Sequence, residues 1–274
     1  MIRKIKNRIR QIYKRVLTST YLINRLKLNP QIFATIRGKD CFVLGSAPNP
    51  DLSLFREDMV IVAVNGSAAN AKHLGLPSPS MTVIDFELLD VNKLSCSEAR
   101  KVSCEILKDL NLGMLIAVQS NNSQGGSPHI LQAKYEDFFE LLKLDRKRIV
   151  QHVSGTNLLE NNVHGLTSTG GFAIAFSAYL GAKSITFSGF SLSCSKKDKE
   201  PPHFYQSLGI ATNIQQNYDI PEFDYDSRSH SLADSALISQ MVLKGYPIFS
   251  TSKDFLPLLQ NWGSNPPKWA IRKI

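Results

Sequence analysis

The sequence is poor in cysteine and places no cysteine at the spacing of a metal site. The four cysteines are Cys41, Cys96, Cys104 and Cys194. No pair has the CxxC spacing of zinc sites and redox motifs, and no histidine stands at a ligand-like spacing from them. This usage favours a reduced, cytosolic protein.

Long apolar runs are missing as well. No segment approaches the roughly 18 consecutive apolar residues of a membrane-spanning helix. No apolar core with a small-residue cleavage site follows the basic N-terminus, so a signal peptide is not expected. The 274 residues are nonetheless 43% hydrophobic, which is enough for a substantial core, and we expect one elaborated domain rather than two.

Two common nucleotide-binding motifs are absent. The turn Gly45-Ser46-Ala47-Pro48-Asn49-Pro50 follows an apolar run but has Ala47 and Pro50 where GxGxxG requires glycines. The Walker pattern, which ends in Gly-Lys-Ser or Gly-Lys-Thr, does not occur either. Dehydrogenase and P-loop classes are therefore disfavoured. A glycine turn that brings backbone amides and Asn49 near a phosphate remains possible.

Acidic residues are absent from the first 27 positions, which carry nine Lys and Arg. The net charge is +9, and the other 23 Lys and Arg equal the 23 Asp and Glu, so the rest of the chain is formally neutral. A nucleic-acid-binding protein would spread its cations over the folded body. The sequence therefore disfavours nucleic acid as a partner.

This basic segment also has the periodicity of a helix. Ile2, Ile5, Ile9, Ile12 and Val16 form one apolar stripe among the cations. Such a helix is typical of binding to an anionic membrane surface. The stripe could instead pack on the body or on a sister chain, which would make a homo-oligomer possible. We predict a membrane-surface arm at residues 1–28 and one folded domain at residues 29–274.

Short apolar runs in the body predict a mostly parallel sheet. The runs begin at Cys41, Val60, Met81, Met114 and Ile185, and helices are predicted at 98–110 and 134–144 between them. Strands that are apolar throughout are typical of sheets buried on both faces. The sequence thus indicates an α/β fold with a single Rossmann-like domain.

Polar residues follow several of these strands, where ligands bind in parallel sheets. They include the turn at Gly45, Asn65 after the second strand, and Asp85 after the third. We expect them to share one crevice. Asn65 could bind a base or a ribose, or could simply form an Asn-Gly turn.

The segment from Gly165 to Leu192 is the most informative. It begins with small polar residues, continues as an apolar helix over about 170–180, and ends in a strand over 185–188 followed by Gly189. The first backbone N–H groups of such a helix are unpaired and lie at the positive end of the helix dipole. The segment therefore predicts an anion-binding site, although Ser168 could also be an ordinary N-cap.

These elements together resemble the bacterial CMP-sialic-acid-dependent sialyltransferases, family 42 of the glycosyltransferases, and more weakly the animal sialyltransferases. The resemblance covers roughly residues 40–250. It rests on the glycine turn, Asn65, Thr167-Ser168-Thr169-Gly170, the strand that ends in Ser188-Gly189, and His230-Ser231. It implies the sialyltransferase-type variant of the GT-A fold, an inverting reaction and no obligatory metal or cofactor.

The resemblance also implies roles for individual residues. His230 matches the general base that removes a proton from the acceptor hydroxyl, a task for which a pKa near 6.5 is suited. A capping or solvent-exposed histidine is the alternative. The implied donor-nucleotide contacts are Gly45, Ser46, Asn49, Asn65, Ser168, Thr169, Gly170, Ser188 and Gly189.

The sequence departs from the family in two places. Phe190-Ser191 stands where family members carry phosphate-binding tyrosines, and His164-Gly165 stands where they carry an arginine. Candidates for the phosphate role are His203, Tyr205 and Tyr218, in a polar stretch over about 191–229 that we interpret as a lid loop. A disordered excursion is the alternative for this stretch. The donor could therefore be another CMP-activated acidic sugar, such as Kdo.

Asp224 and Asp226 form a DxD pair that could chelate a metal ion on a diphosphate. The motif is short and does not follow a predicted strand, so we expect no metal site. His73, His129 and His152 are interpreted as structural.

The prediction from the sequence is a glycosyltransferase at the cytoplasmic face of a bacterial membrane. Its partners would be a CMP-activated acidic sugar and a surface glycan or glycolipid acceptor, for lipopolysaccharide or capsule synthesis. The anionic membrane would be bound through residues 1–27. The alternatives are a pyrophosphokinase-like nucleotide-dependent transferase and a non-catalytic nucleotide-binding membrane adaptor.

Overall fold

A computed structural model describes residues 30–47, 49–90, 98–119, 126–155, 167–190 and 231–251. These residues form one seven-stranded sheet with helices on both faces. The strands are β1 (Asp40–Leu44), β2 (Val60–Val64), β3 (Met81–Asp85), β4 (Met114–Val118), β5 (Asp137–Leu141), β6 (Ser184–Ser188) and β7 (Ile248–Phe249). The α-helices are α1 (Pro30–Ile36), α2 (Ser67–His73), α3 (Glu98–Leu107), α4 (Lys143–Ser154), α5 (Thr169–Tyr179) and α6 (Ser231–Leu243). Short 3-10 helices occupy Phe86–Leu89 and Pro128–Leu131.

The strand order is β5-β4-β3-β2-β1-β6-β7. All six strand pairs are parallel, so the expectation of a single Rossmann-like α/β domain with a mostly parallel sheet is confirmed. The chain proceeds from β1 to β5 in one direction and then returns to place β6 on the other side of β1. The carboxyl ends of β1 and β6 therefore flank the topological switch point, which is where sheets of this class bind ligands.

Apolar side chains fill both faces of the sheet, as two-sided burial requires. On one face Val43, Val62 and Ile116 pack in a cluster with residues of α1, α4, α5 and α6. On the other face Ala63 and Leu115 pack with residues of α2 and α3. The central helix α5 has no polar stripe, because Phe172 through Phe176 are fully buried against the strands.

The predicted helix at 134–144 is wrong. Asp137–Leu141 is strand β5, which pairs with β4, and the helix begins only at Lys143. Phe138 packs in the cluster on one face of the sheet and Phe139 in the cluster on the other. This alternation of successive residues is the property of a strand. The predicted helix at 98–110 is confirmed but ends earlier, at Leu107.

The described residues include only some of the cysteines and segments discussed above. Cys41 and Cys104 are free thiols, and burial raises the pKa of Cys41 to about 12. Cys96 and Cys194 lie outside the described residues, as do the N-terminal arm and the lid loop. Among the helices within the described ranges, none has both the length and the apolar content to cross a bilayer.

Candidate functional site at the switch point

The carboxyl ends of β1 and β6 are joined by backbone contacts. The amide of Gly45 donates to Ser188 O at 2.8 Å, and the amide of Ala47 donates to Gly189 O at 2.9 Å. These bonds extend the ladder of the two strands beyond their last residues. The amides of Gly45 and Ala47 are therefore paired within the protein and are not donors for a phosphate, although the turn itself borders the switch point.

Asn65 links the ends of β2 and β3. It adopts a left-handed conformation with φ of 50°, its backbone N–H donates to Val83 O, and its side-chain Oδ1 accepts the amide of Asp85 at 2.9 Å. Asparagine tolerates this conformation better than most residues. The side-chain NH2 of Asn65 has no acceptor among the described residues, so Asn65 both forms a turn and retains a donor for a ligand.

The first turn of α5 is held by a carboxylate from α6. Asp234 Oδ1 accepts the amide of Ser168 at 2.8 Å, and Asp234 Oδ2 accepts the Ser168 hydroxyl at 2.5 Å. The same hydroxyl oxygen accepts the amide of Gly171 at 2.9 Å. Ser168 is thus the N-cap of α5, as its position before an apolar helix predicts. Its hydroxyl proton is committed to Asp234.

Two amides of this turn have no such partner within the part of the chain that the structure describes. Helix starts leave several N–H groups without intrahelical acceptors. The N–H groups of Thr169 and Gly170 have no acceptor among the described residues, whereas those of Ser168 and Gly171 are paired. We call these two unpaired amides the Thr169–Gly170 site. With the positive end of the α5 dipole, it meets the requirements for binding an anion.

Glycine is required beside this site for steric reasons. A Cβ on Gly170 would lie 2.1 Å from a ring carbon of Phe190, and a Cβ on Gly171 would lie 2.2 Å from Asp234 Oδ1. Phe190 follows Gly189 at the end of β6, so its ring joins the β6 end to the start of α5. Phe190 therefore forms one wall of the site.

Arg146, in the first turn of α4, is a buried cation close to the same turn. Its residue surface is 2% exposed, and its Nη2 donates to the carbonyl and, at 3.4 Å, to the hydroxyl of Thr167. Burial lowers the pKa of Arg146, while the nearby carboxylates of Asp85 and Asp234 act in the opposite direction. The guanidinium nevertheless stays charged, because an arginine side chain does not lose its proton in proteins. Its Nε is buried without a partner among the described residues.

The first turns of three helices therefore meet at the carboxyl edge of the sheet. Arg146 comes from α4, the Thr169–Gly170 site from α5 and Asp234 from α6. The positive ends of three helix dipoles and the guanidinium of Arg146 lie around the carboxylates of Asp85 and Asp234. The arrangement combines unpaired donors with fixed charges, and these suit the binding of a phosphate or a carboxylate.

Neither Arg146 nor Asp234 was predicted from the sequence as a site residue. Asp234 is 8% exposed in a helix that is otherwise mostly apolar. A buried carboxylate needs a partner, so its lone position in that helix was a usable signal. Arg146 is followed by buried Ile149, Val150 and Val153, at the spacing of one helix face. The wrong helix boundary at 134–144 concealed that spacing.

The structure brings together part of the predicted set. Gly45, Ser188 and Gly189 are in contact, and Ser168, Thr169 and Gly170 form the start of α5 beside them. Ser46 and Asn49 lie in the turn that follows β1, where Asn49 is exposed with φ of 51°. Other predicted residues lie outside the described residues, namely His230, His203, Tyr205, Tyr218, Asp224 and Asp226. Within the described part of the chain, no cluster of three or more His, Cys, Asp or Glu could hold a metal ion.

No model of a known protein family matches this chain, and no curated protein matches it either. Among solved structures it is similar to the monofunctional alpha-2,3-sialyltransferase Cst-I from Campylobacter jejuni, with a TM-score of 0.47 and 12% identity over 79% of this chain and 77% of that chain. It is also similar to the sialyltransferase Cst-II in complex with CMP, with a TM-score of 0.44 and 13% identity over 77% of this chain and 80% of that chain. At this identity and these TM-scores the likeness is too low to assign an activity.

Proposed function

We propose that this chain is a glycosyltransferase that binds a CMP-activated acidic sugar at the switch point and transfers the sugar to a hydroxyl group. The observation that carries the proposal is the Thr169–Gly170 site. Its two amides, which no described residue accepts, lie at the positive end of α5, beside the switch point between β1 and β6. Parallel sheets bind nucleotides at such a point, with the phosphate at a helix start.

The chemistry of the reaction fits these donors. When a sugar leaves CMP, negative charge develops on the phosphate. Fixed backbone donors in a site with little water stabilise that charge without further reorganisation. The Thr169–Gly170 site would bind the phosphate, and the side-chain NH2 of Asn65, two strands away, would bind the base or the ribose. The glycine turn after β1 would form the floor between them.

The choice of a cytidine nucleotide and of an acidic sugar is supported by the motifs. Thr167-Ser168-Thr169-Gly170, the strand end Ser188-Gly189, and His230-Ser231 occur in the order of the sialyltransferase motifs. His230 would accept the proton of the acceptor hydroxyl. Attack by this hydroxyl on the side of the anomeric carbon opposite the phosphate would invert the configuration. The donor would be CMP-sialic acid or a related CMP-activated nonulosonic or octulosonic acid.

The acceptor would be a glycan or glycolipid at the cytoplasmic face of the membrane. The nine cations within residues 1–27 support this part of the proposal. A basic amphipathic arm would hold the transferase near an acceptor that is itself anchored in the membrane.

A binding experiment tests the proposal most directly. The full-length protein is heated in the presence of CMP, AMP, GMP or UMP at increasing concentrations. A ligand that binds only the folded state raises the melting temperature with its concentration. We expect the largest increase with CMP, and turnover of CMP-sialic acid or CMP-Kdo to free CMP when a glycan acceptor is added. Equal responses to the four nucleotides would contradict a cytidine site.

A further inference from the structure

We infer that Asp234 is a positioning residue for phosphate binding, because it determines which amides at the start of α5 are left for the ligand. This inference rests on the proposed binding of CMP. It concerns a residue of α6 that does not itself touch the phosphate but acts through Ser168.

The hydrogen bonds around Ser168 carry the inference. A helix start offers several amides that could each turn towards an anion. Asp234 takes the amide of Ser168 directly, at 2.8 Å. It also takes the proton of the Ser168 hydroxyl, which directs that oxygen towards the amide of Gly171. Two neighbouring amides, those of Thr169 and Gly170, are left without an acceptor among the described residues.

The close fit around Asp234 supports a fixed position. Its carboxylate lies so near Gly171 that any side chain there would displace it, since a Cβ would be 2.2 Å from Oδ1. Asp234 is 8% exposed, and the charge of Arg146 stabilises its ionised form. A buried, charged carboxylate that accepts two hydrogen bonds has little freedom to move.

Removal of Asp234 can either strengthen or weaken phosphate binding, and the direction of the change distinguishes two roles for its carboxylate. A carboxylate beside a phosphate repels it, so on charge alone its removal would strengthen phosphate binding. If Asp234 instead orients the turn, its removal weakens phosphate binding despite the lost repulsion. The two roles thus predict opposite changes.

The experiment compares the dissociation constants of CMP and cytidine for the full-length protein, well below the melting temperature of each variant. The ratio of the two constants isolates the contribution of the phosphate. We expect Asp234→Ala to reduce the preference for CMP about tenfold, the value of one hydrogen bond to a charged group. Asp58→Ala is the matched control, since Asp58 is exposed and lies just before β2, at the amino end of the sheet.

Gly171→Ala is the second variant. It displaces the carboxylate but leaves every charge in place, and it places no substituent on Thr169 or Gly170. We expect the same loss of preference for CMP. If Asp234→Ala does not fold, Gly171→Ala alone decides between the two roles.

Amide exchange in the unmodified protein provides a measurement without any substitution. Without nucleotide, we expect slow exchange at Ser168 and Gly171 and fast exchange at Thr169 and Gly170. CMP should slow only the second pair, and cytidine should slow neither pair.

The outcomes separate the inference from the proposed function. If the unmodified protein does not prefer CMP to cytidine, both are overturned. If it does, but the preference is unchanged or increased in the variants, only the positioning role is overturned. An equal loss of affinity for CMP and cytidine would show a merely structural role for Asp234 and would overturn the inference as well.

Discussion

The guanidinium carbon of Arg146 lies 5.6 Å from the centroid of the Phe172 ring. This distance is within the range of a cation–π contact. Arg146 therefore contacts the ring of Phe172 in α5 and also Thr167, two residues before α5 begins. The buried guanidinium links α4 to the start of α5, and the carboxylates of Asp85 and Asp234 compensate its charge.

Replacing Arg146 by methionine should strongly destabilise the fold. Methionine fills much of the same volume but leaves Asp85 and Asp234 without their buried counter-charge. We expect a loss of about 3–5 kcal/mol in the free energy of unfolding, measured with urea. Lys143→Met, an exposed cation at the start of the same helix, should change stability by less than about 0.5 kcal/mol. If Asp234→Asn is added to Arg146→Met, the loss should be smaller than the sum of the two single losses.

Gly45→Ala should separate the ends of β1 and β6. The added Cβ would lie 2.1 Å from the backbone carbonyl oxygen of Gly189, and neither backbone can move without breaking the ladder. We expect a loss of about 2–4 kcal/mol, as for severe overpacking. Gly75→Ala is the control, because Gly75 has φ of 70° but open space around it. That variant carries only backbone strain and should lose about 1 kcal/mol. Gly45 itself has no positive φ, so its variant carries no such strain. A loss in Gly45→Ala no larger than that in Gly75→Ala would contradict the importance of the close contact with Gly189.

The central strands were predictable from the sequence because burial on both faces gives them a uniformly apolar composition. A central parallel strand is buried on both faces, so β2 and β4 consist only of apolar residues. The edge strand β5 is half-buried over most of its length and contains Asp137 and Glu140. Its composition does not distinguish a strand from a helix, and pairing with β4 decides between them. The local sequence pattern therefore does not identify a strand whose side chains are partly buried and partly exposed.

The start of α5 was predictable as an anion-binding site. The hydrogen bonds of Asp234 to Ser168 at this helix start were not predictable. The hydroxyl-rich turn predicts unpaired amides from residues adjacent in the sequence. Asp234 lies 66 residues after Ser168, and no local pattern relates the two. The signal that remained was energetic, since a carboxylate among apolar neighbours in α6 requires a partner.

His152 should make stability depend on pH. Partial loss of hydration and the ammonium group of Lys244 both lower the pKa of this exposed side chain from the ordinary value of 6.5. The fold therefore favours the neutral ring, which also lies edge-on to Tyr179 at 5.3 Å. This contribution is complete above pH 6.5 and is lost as the pH falls through the lowered pKa. The relevant range is roughly pH 7 to pH 5, which begins just above 6.5 and extends below it. Over this range we expect the free energy of unfolding to fall more steeply for the unmodified protein than for His152→Gln. Parallel curves for the two proteins would contradict this.

His230→Ala should separate catalysis from binding. If His230 is the base, its removal should reduce turnover by about 100-fold or more, the usual contribution of general base catalysis. The affinity for CMP should stay within about twofold, since the phosphate is bound elsewhere. His129→Ala, in a 3-10 helix, is the control. A protein without any measurable turnover in its unmodified form, but with CMP affinity, would instead be a nucleotide-binding adaptor.

The basic arm should hold the protein on anionic membranes. Each cation near such a surface contributes about 1 kcal/mol, and the apolar stripe from Ile2 to Val16 adds hydrophobic burial. We expect the protein to sediment with vesicles that contain phosphatidylserine but not with neutral vesicles. Removal of residues 1–27 should abolish sedimentation, and so should 1 M salt, at which the screening length falls to about 3 Å.

A variant that keeps every charge tests the contribution of the stripe. Ile5→Ser combined with Ile9→Ser removes two apolar residues from the middle of the stripe. If the arm inserts into the membrane surface, this variant should bind anionic vesicles more weakly than the unmodified protein at the same salt concentration. If the stripe packs on the body or on a sister chain, the substitutions should instead lower the melting temperature or dissociate an oligomer, without weakening vesicle binding.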